Sequence, residues 1–484
     1  LALDRVREES NGIAVLIGHP SRNPGHGKAL QNPLSVLRAG KCLAEYQKRL
    51  LPNYDVFNEN RYFEPGGRPL VLNLDGVSLG LTVCEDAWNT PFSNAPGLYS
   101  VDPVAESVTA GADIIVNIAA SPFAYRKVEF REKMFSKIAA FHHRPLLYVN
   151  QAGGVDGVIF DGMSAVFDGN GRLLARGAGF KEDLVVVDME SAVPGAVGSV
   201  PDENSLIFSA LVCGIRDYIR KIAAEKVHLG LSGGIDSALV AVLAAHALSP
   251  ENVTGIMLPS RYSSAGSVAD AEELGKNLGI RLESISIQGV VNSAISALSG
   301  AVSEIRGITE ENLQARARGL LLMGWSNNEN SILLNTGNKS ELAVGYATIY
   351  GDMCGALSVL GDVYKTKVFE LCRWINGKFG PVIPQNILTK PPSAELRPNQ
   401  KDSDTLPGYD VLDAVLEAFV EGALAPAEIA EKTGAAPELV ENILRMVLRS
   451  EFKRKQAAPI LKITDRAFAT GFRFPISSGW QPKT

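Results

Sequence analysis

At 484 residues the chain is longer than one ordinary core can organise, so roughly two or three domains are expected. A net charge of -6 excludes the basic surface that a nucleic-acid partner needs, and no run of about eighteen apolar residues is present to cross a membrane. The five cysteines (Cys42, Cys84, Cys213, Cys354, Cys372) are scattered, odd in number and without paired metal-ligand spacing, which points to a reducing cytoplasm.

From Leu1 to about Asp188, strand-like apolar runs alternate with helices and hairpin turns. The runs are Ala14 to Ile17, Val71 to Leu74, Leu79 to Val83, Ile114 to Ile118, Leu146 to Val149, Ser164 to Phe167 and Leu184 to Val187. Asp168 to Gly171 reads as a tight turn, and His142 and His143 before Arg144 and Pro145 read as a helix end. That succession suits two sheets packed inside helical layers. Pro194, Gly195, Gly198 and Pro201 place a linker at 189–203, dividing the chain into domains 1–188 and 204–484. Beyond it, strands at Val227 to Leu231, Val253 to Leu258, Arg281 to Ile285 and Ile332 to Asn335 alternate with helical stretches, as in a parallel doubly wound sheet. In the helical tail, Pro426 and Pro437 fit first turns.

Two segments carry chemistry. Leu231, Ser232, Gly233, Gly234, Ile235, Asp236 and Ser237 lie at a strand-to-helix turn, followed by Ala238 to Leu248, which reads as an amphipathic helix. Glycines there let backbone N–H groups approach an anion, and the helix N-terminus adds partial positive charge. The serines add hydroxyl donors, and Asp236 offers a hard oxygen ligand for the Mg²⁺ that accompanies polyphosphate. In the first half, Val77 to Val83 leads to Cys84, where a turn would expose a nucleophilic sulfur. Lys48 nearby would lower the thiol pKa and stabilise an oxyanion.

The Leu231 to Ser237 run resembles the pyrophosphate-binding loop of N-type ATP pyrophosphatases. Glu311 to Arg316, Thr336 to Glu341, Tyr350 to Met353 and Pro391 to Leu396 narrow the resemblance to NAD synthetases, from about Asn204 to the end. Lys48 to Tyr54, followed by Gly80 to Trp88, resembles the nitrilase-type glutaminase domain of the glutamine-dependent members. The resemblance implies an α/β protein, a nitrilase-like α/β/β/α sandwich followed by the doubly wound domain. It implies a carbon-nitrogen ligase that adenylates deamido-NAD with ATP and amidates it to NAD with ammonia from glutamine.

Residue by residue, the resemblance assigns Cys84 as nucleophile and Lys48 as its cationic partner, with Glu59 orienting the lysine. Tyr54, Trp88, Ser121 and Lys127 surround glutamine, and the Glu85 N–H joins the oxyanion hole. Leu231 to Ser237 hold ATP together with Thr336, Lys365 and Ser393, while Asp236 and Glu341 bind Mg²⁺. Asn312, Arg316, Asp352 and Lys453 hold deamido-NAD. The family's third triad member, a glutamate on an early strand upstream of the lysine, has no counterpart here; Glu8 and Glu9 lie in a charged helix. An N-terminally incomplete chain with poor glutamine hydrolysis is therefore expected. A second departure is Gln456 to Ile460, which replaces the family's Gln-x-Pro-Pro-Gly. The family also implies at least a dimer. Three other readings remain open: a relative of GMP synthetase, a nitrilase-type hydrolase with a nucleotide-binding module, and a non-catalytic nucleotide-binding subunit.

Overall fold

The computed structural model describes residues 2–189, 197, 199–302, 305–468, 471–480 and 482. Leu1 and most of the expected linker, including Pro194, Gly195 and Gly198, lie outside the described residues. The chain forms two compact units, one of residues 1–153 and 160–201, the other of 154–159 and 202–484.

The first unit is built on two main sheets and also carries a two-stranded ribbon of Ser21–Arg22 and Leu30–Gln31. Three antiparallel strands (Ala14–Gly18, Pro33–Arg38, Lys41–Gln47) face a six-stranded sheet ordered Leu173–Arg176, Ala165–Phe167, Leu146–Asn150, Ile114–Ala119, Val77–Val83, Val71–Leu74. Leu34, Val36 and Tyr46 from the small sheet pack against Leu81, Val83 and Val116 from the large one. On the other face, helix Lys127–His142 buries Met134, Phe135 and Ile138 against Ile115, Leu146 and Tyr148. His143 ends that helix in left-handed backbone, as its position before Arg144 and Pro145 suggests.

One expectation from periodicity fails here, and one strand pair went unread. Leu184 to Val187 is not a strand: residues 182–188 have no regular structure, and Leu184 and Val186 are 88% and 86% exposed. Alternation marks a strand only where a partner takes up the backbone hydrogen bonds. Conversely, Pro33–Arg38 and Lys41–Gln47 form a strand pair with no strong apolar signature in the second member, whose outer face is exposed.

In the second unit five parallel strands run in the order Arg281–Ser284, Val253–Met257, Val227–Gly230, Ile332–Asn335, Leu357–Ser358. The order reverses between Val227–Gly230 and Ile332–Asn335, where the crevice beyond the strand ends is the usual ligand site of open α/β sheets. Helix Ile235–Leu248 is not amphipathic as expected: it is apolar on every side and buried on nearly all of them. Helices Tyr409–Val420, Pro426–Thr433 and Pro437–Arg449 build a further core from Leu412, Leu416, Ile429, Ile443 and Val447, and both prolines start helices. The short stretch 154–159 also belongs to this unit. The Gly154 N–H donates to Asp217 Oδ2 at 2.8 Å, Lys221 Nζ donates to the Gly154 carbonyl at 2.6 Å, and Lys462 N–H donates to the Gly157 carbonyl at 2.8 Å. At Gly157 a Cβ would stand 2.1 Å from the Ile460 carbonyl oxygen, so only glycine fits.

Candidate active sites

Strand Val77–Val83 ends at Cys84, the first residue of a single 3₁₀ turn, Cys84–Ala87. Cys84 has φ 46°, left-handed backbone that side chains rarely adopt. Asp86 organises the turn: fully buried, it accepts from the N–H groups of Val83 (3.0 Å), Arg49 (3.1 Å) and Leu50 (2.8 Å) and from the Tyr46 hydroxyl (2.9 Å). The same carboxylate thereby ties the chain around Lys48 to the turn that carries Cys84. Lys48 Nζ lies 2.7 Å from both oxygens of Glu59, which also accepts from Asn32 Nδ2 at 3.2 Å.

Burial opposes the Lys48 cation, but the acidic groups of Cys84 and Glu59 outweigh it and hold its pKa above the ordinary value. Burial pushes the Cys84 thiol above its ordinary pKa; Lys48 does pull it downward, as expected, but is outweighed. A thiol held above its ordinary range calls for a base before it becomes nucleophilic.

Glu85, read from the sequence for its N–H, also brings a buried carboxylate that accepts from the Tyr54 hydroxyl at 3.0 and 2.9 Å and from Tyr99 at 3.0 Å. Burial raises its pKa, and the two tyrosines offset part of that. Lys127 Nζ sits 5.0 Å from the Trp88 ring centre and donates to the Pro122 carbonyl, while Trp88 stacks on Phe130. Ser121 is buried, and its N–H donates to Asn150 Oδ1 at 2.9 Å.

In the second unit the strand Val227–Gly230 opens into the serine-glycine loop. Ser232 Oγ and Ser237 Oγ are 3.1 Å apart, the Gly234 N–H donates to Ser232 Oγ at 3.1 Å, and Ser237 Oγ donates to the Gly234 carbonyl at 3.0 Å. Gly233 has φ 74°, and a Cβ there would stand 2.1 Å from the Ser267 carbonyl oxygen. This loop forms one wall of a cavity of about 350 Å³ that also takes in Thr336, Glu341, Asp352, Lys365 and Ser393.

Lys365 Nζ bridges Asp236 Oδ2 (2.5 Å) and Glu341 Oε1 (3.2 Å), and Asn338 Nδ2 donates to Asp236 Oδ1 at 2.9 Å. Asn338 also caps the short helix Lys339–Val344, which presents Glu341. Burial raises Glu341 to about 7; Lys365 opposes the rise and Asp236 adds to it. Two hard carboxylates facing a cavity beside serine hydroxyls fit a magnesium ion, although among the described residues no three acidic, histidine or cysteine groups converge as a preformed metal cluster.

The dinucleotide candidates are less gathered. Asp352 lines the cavity, and burial lifts its pKa to about 6. Asn312, Arg316 and Lys453 do not line it: Asn312 Oδ1 accepts from Thr348, Arg316 Nε donates to the Ile349 carbonyl, and Lys453 Nζ donates to the carbonyls of Gly345 and Ala347. Ser393 Oγ donates to the Gln400 carbonyl at 2.6 Å. Behind the site, Lys339 is wholly buried between Asp362 (2.7 Å) and Glu421 (3.0 Å), an arrangement no local motif announces.

The NAD synthase family model matches residues 207–457, and the carbon-nitrogen hydrolase model matches 8–197. A glutamine-dependent NAD(+) synthetase from Synechocystis sp. is 44% identical over 97% of this chain and 86% of its own length. The enzyme of that name from Thermotoga maritima is 40% identical over 96% and 85%. Among solved structures, glutamine-dependent NAD+ synthetase from Acinetobacter baumannii in complex with ADP aligns with TM-score 0.75 and 38% identity, covering 100% of this chain and 88% of that one. No helix among the described residues is long and apolar enough to cross a membrane. With these relatives spanning nearly its whole length, the chain belongs to the glutamine-dependent NAD(+) synthetases, as a ligase joining carbon to nitrogen.

Proposed function

We propose that this chain converts deamido-NAD to NAD, using ATP and ammonia drawn from glutamine. The observation that carries the reading is the Ser232–Ser237 cradle opening onto a cavity in which Asp236 and Glu341 face each other across Lys365. A nicotinate carboxylate oxygen attacks the α-phosphorus of ATP, giving an acyl adenylate and pyrophosphate; ammonia then attacks the acyl carbon and AMP departs. Ser232, the glycine N–H groups and Ser237 grip the leaving pyrophosphate, and Lys365 adds positive charge where negative charge accumulates. Asp236 and Glu341 would hold Mg²⁺, which neutralises polyphosphate charge when bound. Thr336 and Ser393 contact ATP, and Asn312, Arg316, Asp352 and Lys453 hold the dinucleotide.

At the other centre, the Cys84 sulfur gives up its proton and bonds to the glutamine amide carbon, that proton reaches the amide nitrogen as its bond to carbon breaks and ammonia leaves, and water then hydrolyses the thioester to glutamate and the free thiol. The Lys48–Glu59 pair, both Glu59 oxygens within 2.7 Å of Nζ, supports a role in holding charge and protons at that carbon. The buried Glu85 carboxylate between Tyr54 and Tyr99 suits the ammonium of the amino acid, with Lys127 and Ser121 suiting its carboxylate. We assign 1–188 to amide hydrolysis and 204–484 to synthesis, joined by 189–203, in a cytoplasmic homo-oligomer; the matched spans 8–197 and 207–457 support the division. The test is to incubate the chain with deamido-NAD, MgATP and ammonium. NAD, AMP and pyrophosphate appearing in equal amounts are expected; nucleotide binding without turnover would reject the reading.

A further inference from the structure

The left-handed Cys84 backbone has to be held in place, and two buried side chains hold it. Asp86 takes the Val83 N–H on the upstream side. On the downstream side, Asn117 Nδ2 donates to the Cys84 carbonyl oxygen at 3.3 Å and to Thr82 Oγ1 at 3.0 Å, while the Thr82 hydroxyl donates to the Val116 carbonyl at 2.9 Å. Asn117 is 0% exposed in the otherwise apolar strand Ile114–Ala119, and its Oδ1 is buried without a hydrogen-bond partner. A buried amide with an unmatched oxygen destabilises a core that an apolar side chain of equal size would fill at lower cost. Its position beside the nucleophile gives it a function.

The Cys84 carbonyl and the Glu85 N–H are opposite ends of one peptide plane, and in a trans peptide they point in opposite directions. Fixing the carbonyl on Asn117 therefore fixes the aim of the Glu85 N–H. When sulfur adds to an amide carbon, the carbonyl π pair moves onto oxygen, and that oxygen needs a donor already aimed at it. We propose that Asn117 is a positioning residue for amide hydrolysis, holding the Cys84–Glu85 peptide so that the Glu85 N–H serves as oxyanion donor. The proposal rests on Cys84 being the nucleophile.

Two electrophiles separate the effects in the intact chain, with labelling of the Cys84 peptide followed by mass spectrometry. Iodoacetamide alkylates sulfur by displacing iodide and forms no oxyanion. A glutamine analogue with a chloromethyl ketone in place of its side-chain amide first takes the sulfur at its carbonyl, giving a hemithioketal whose oxygen needs the donor, after which the sulfur moves to the methylene carbon and chloride leaves. Asn117→Leu is expected to slow the ketone by ~10 to 100-fold and leave iodoacetamide within about threefold. Thr82→Val, which removes the acceptor that steadies the Asn117 amide, is expected to slow the ketone about fivefold and decides the matter if Asn117→Leu does not fold. A ketone rate unchanged in the variants, or both reagents moving together as loosened packing would make them, overturns the proposal. If the unsubstituted chain takes the ketone no faster at Cys84 than at the exposed Cys42, the nucleophile assignment itself fails, before any variant is compared.

Discussion

Around Cys84 the charged groups are paired with one another inside the protein: Lys48 with Glu59, Glu85 with two tyrosines, Asp86 with three backbone N–H groups. Around Ser232–Ser237 they are gathered at the edge of an opening of about 350 Å³, with Lys365 spanning two carboxylates that face it. The contrast follows from where the reacting atoms come from. On the function proposed above, the first unit supplies the nucleophile itself, so a single sulfur must be placed on a constrained turn. In the second both reacting atoms belong to ligands, and the protein supplies space, donors and compensating charge.

The sharpest way to break this comparison is Asp236→Ala, which removes a carboxylate facing the cavity. Ammonium-fed NAD formation is expected to fall ~10² to 10³-fold in kcat. A loss below tenfold would mean the cavity does not work through that carboxylate. Gly233→Ala comes next: the left-handed backbone and the Ser267 carbonyl at 2.1 Å leave no room for a methyl group. A loss of roughly 1–3 kcal/mol in folding stability is expected, with a raised KM for ATP; unchanged melting would show that the loop adjusts freely.

At the first centre, Lys48→Met removes the larger of the two lysine influences that restrain the rise in the thiol pKa, the other being Lys127. Alkylation of Cys84 at pH 8 is expected to slow about tenfold, with the pH midpoint of labelling moved upward. Faster labelling would show that the lysine acts mainly by shielding the sulfur.

The smallest effect concerns Glu341 in the ligand-free protein, whose pKa of about 7 stands above its ordinary 4.5. The folded state then holds this proton more tightly than the unfolded chain. Stability should therefore decline as pH rises from 4.5 to about 7, and Glu341→Gln should flatten that part of the melting curve. A slope unaltered by the substitution would place the buried proton elsewhere.

Legibility in the sequence followed the range of the interactions. The loop from Leu231 to Ser237 could be read because its glycines, serines and aspartate act within one turn of backbone. Cys84 could be read because a strand ends there, but not its raised pKa, which depends on burial by residues far along the chain. The Glu85 carboxylate escaped notice because its partners, Tyr54 and Tyr99, lie 31 and 14 residues away. Asn117 sits in a run that reads as plain strand, and only the register against Val77–Val83 brings it to Cys84. Leu184 to Val187 shows the reverse error, an alternating pattern whose exposed residues have no sheet to join.

The stretch Gly154–Ile159 has a practical corollary for anyone dividing this chain. A synthetic half started at residue 202 would lack six residues that its own compact unit includes. Asp217 and Lys221 would lose the Gly154 backbone, and Gly214, which packs against Ile159 and Leu461, would face water on one side. Excision at the apparent joint thus leaves a wound rather than a clean surface, and a stand-alone version calls for a graft of that tip or a redesigned patch beneath it.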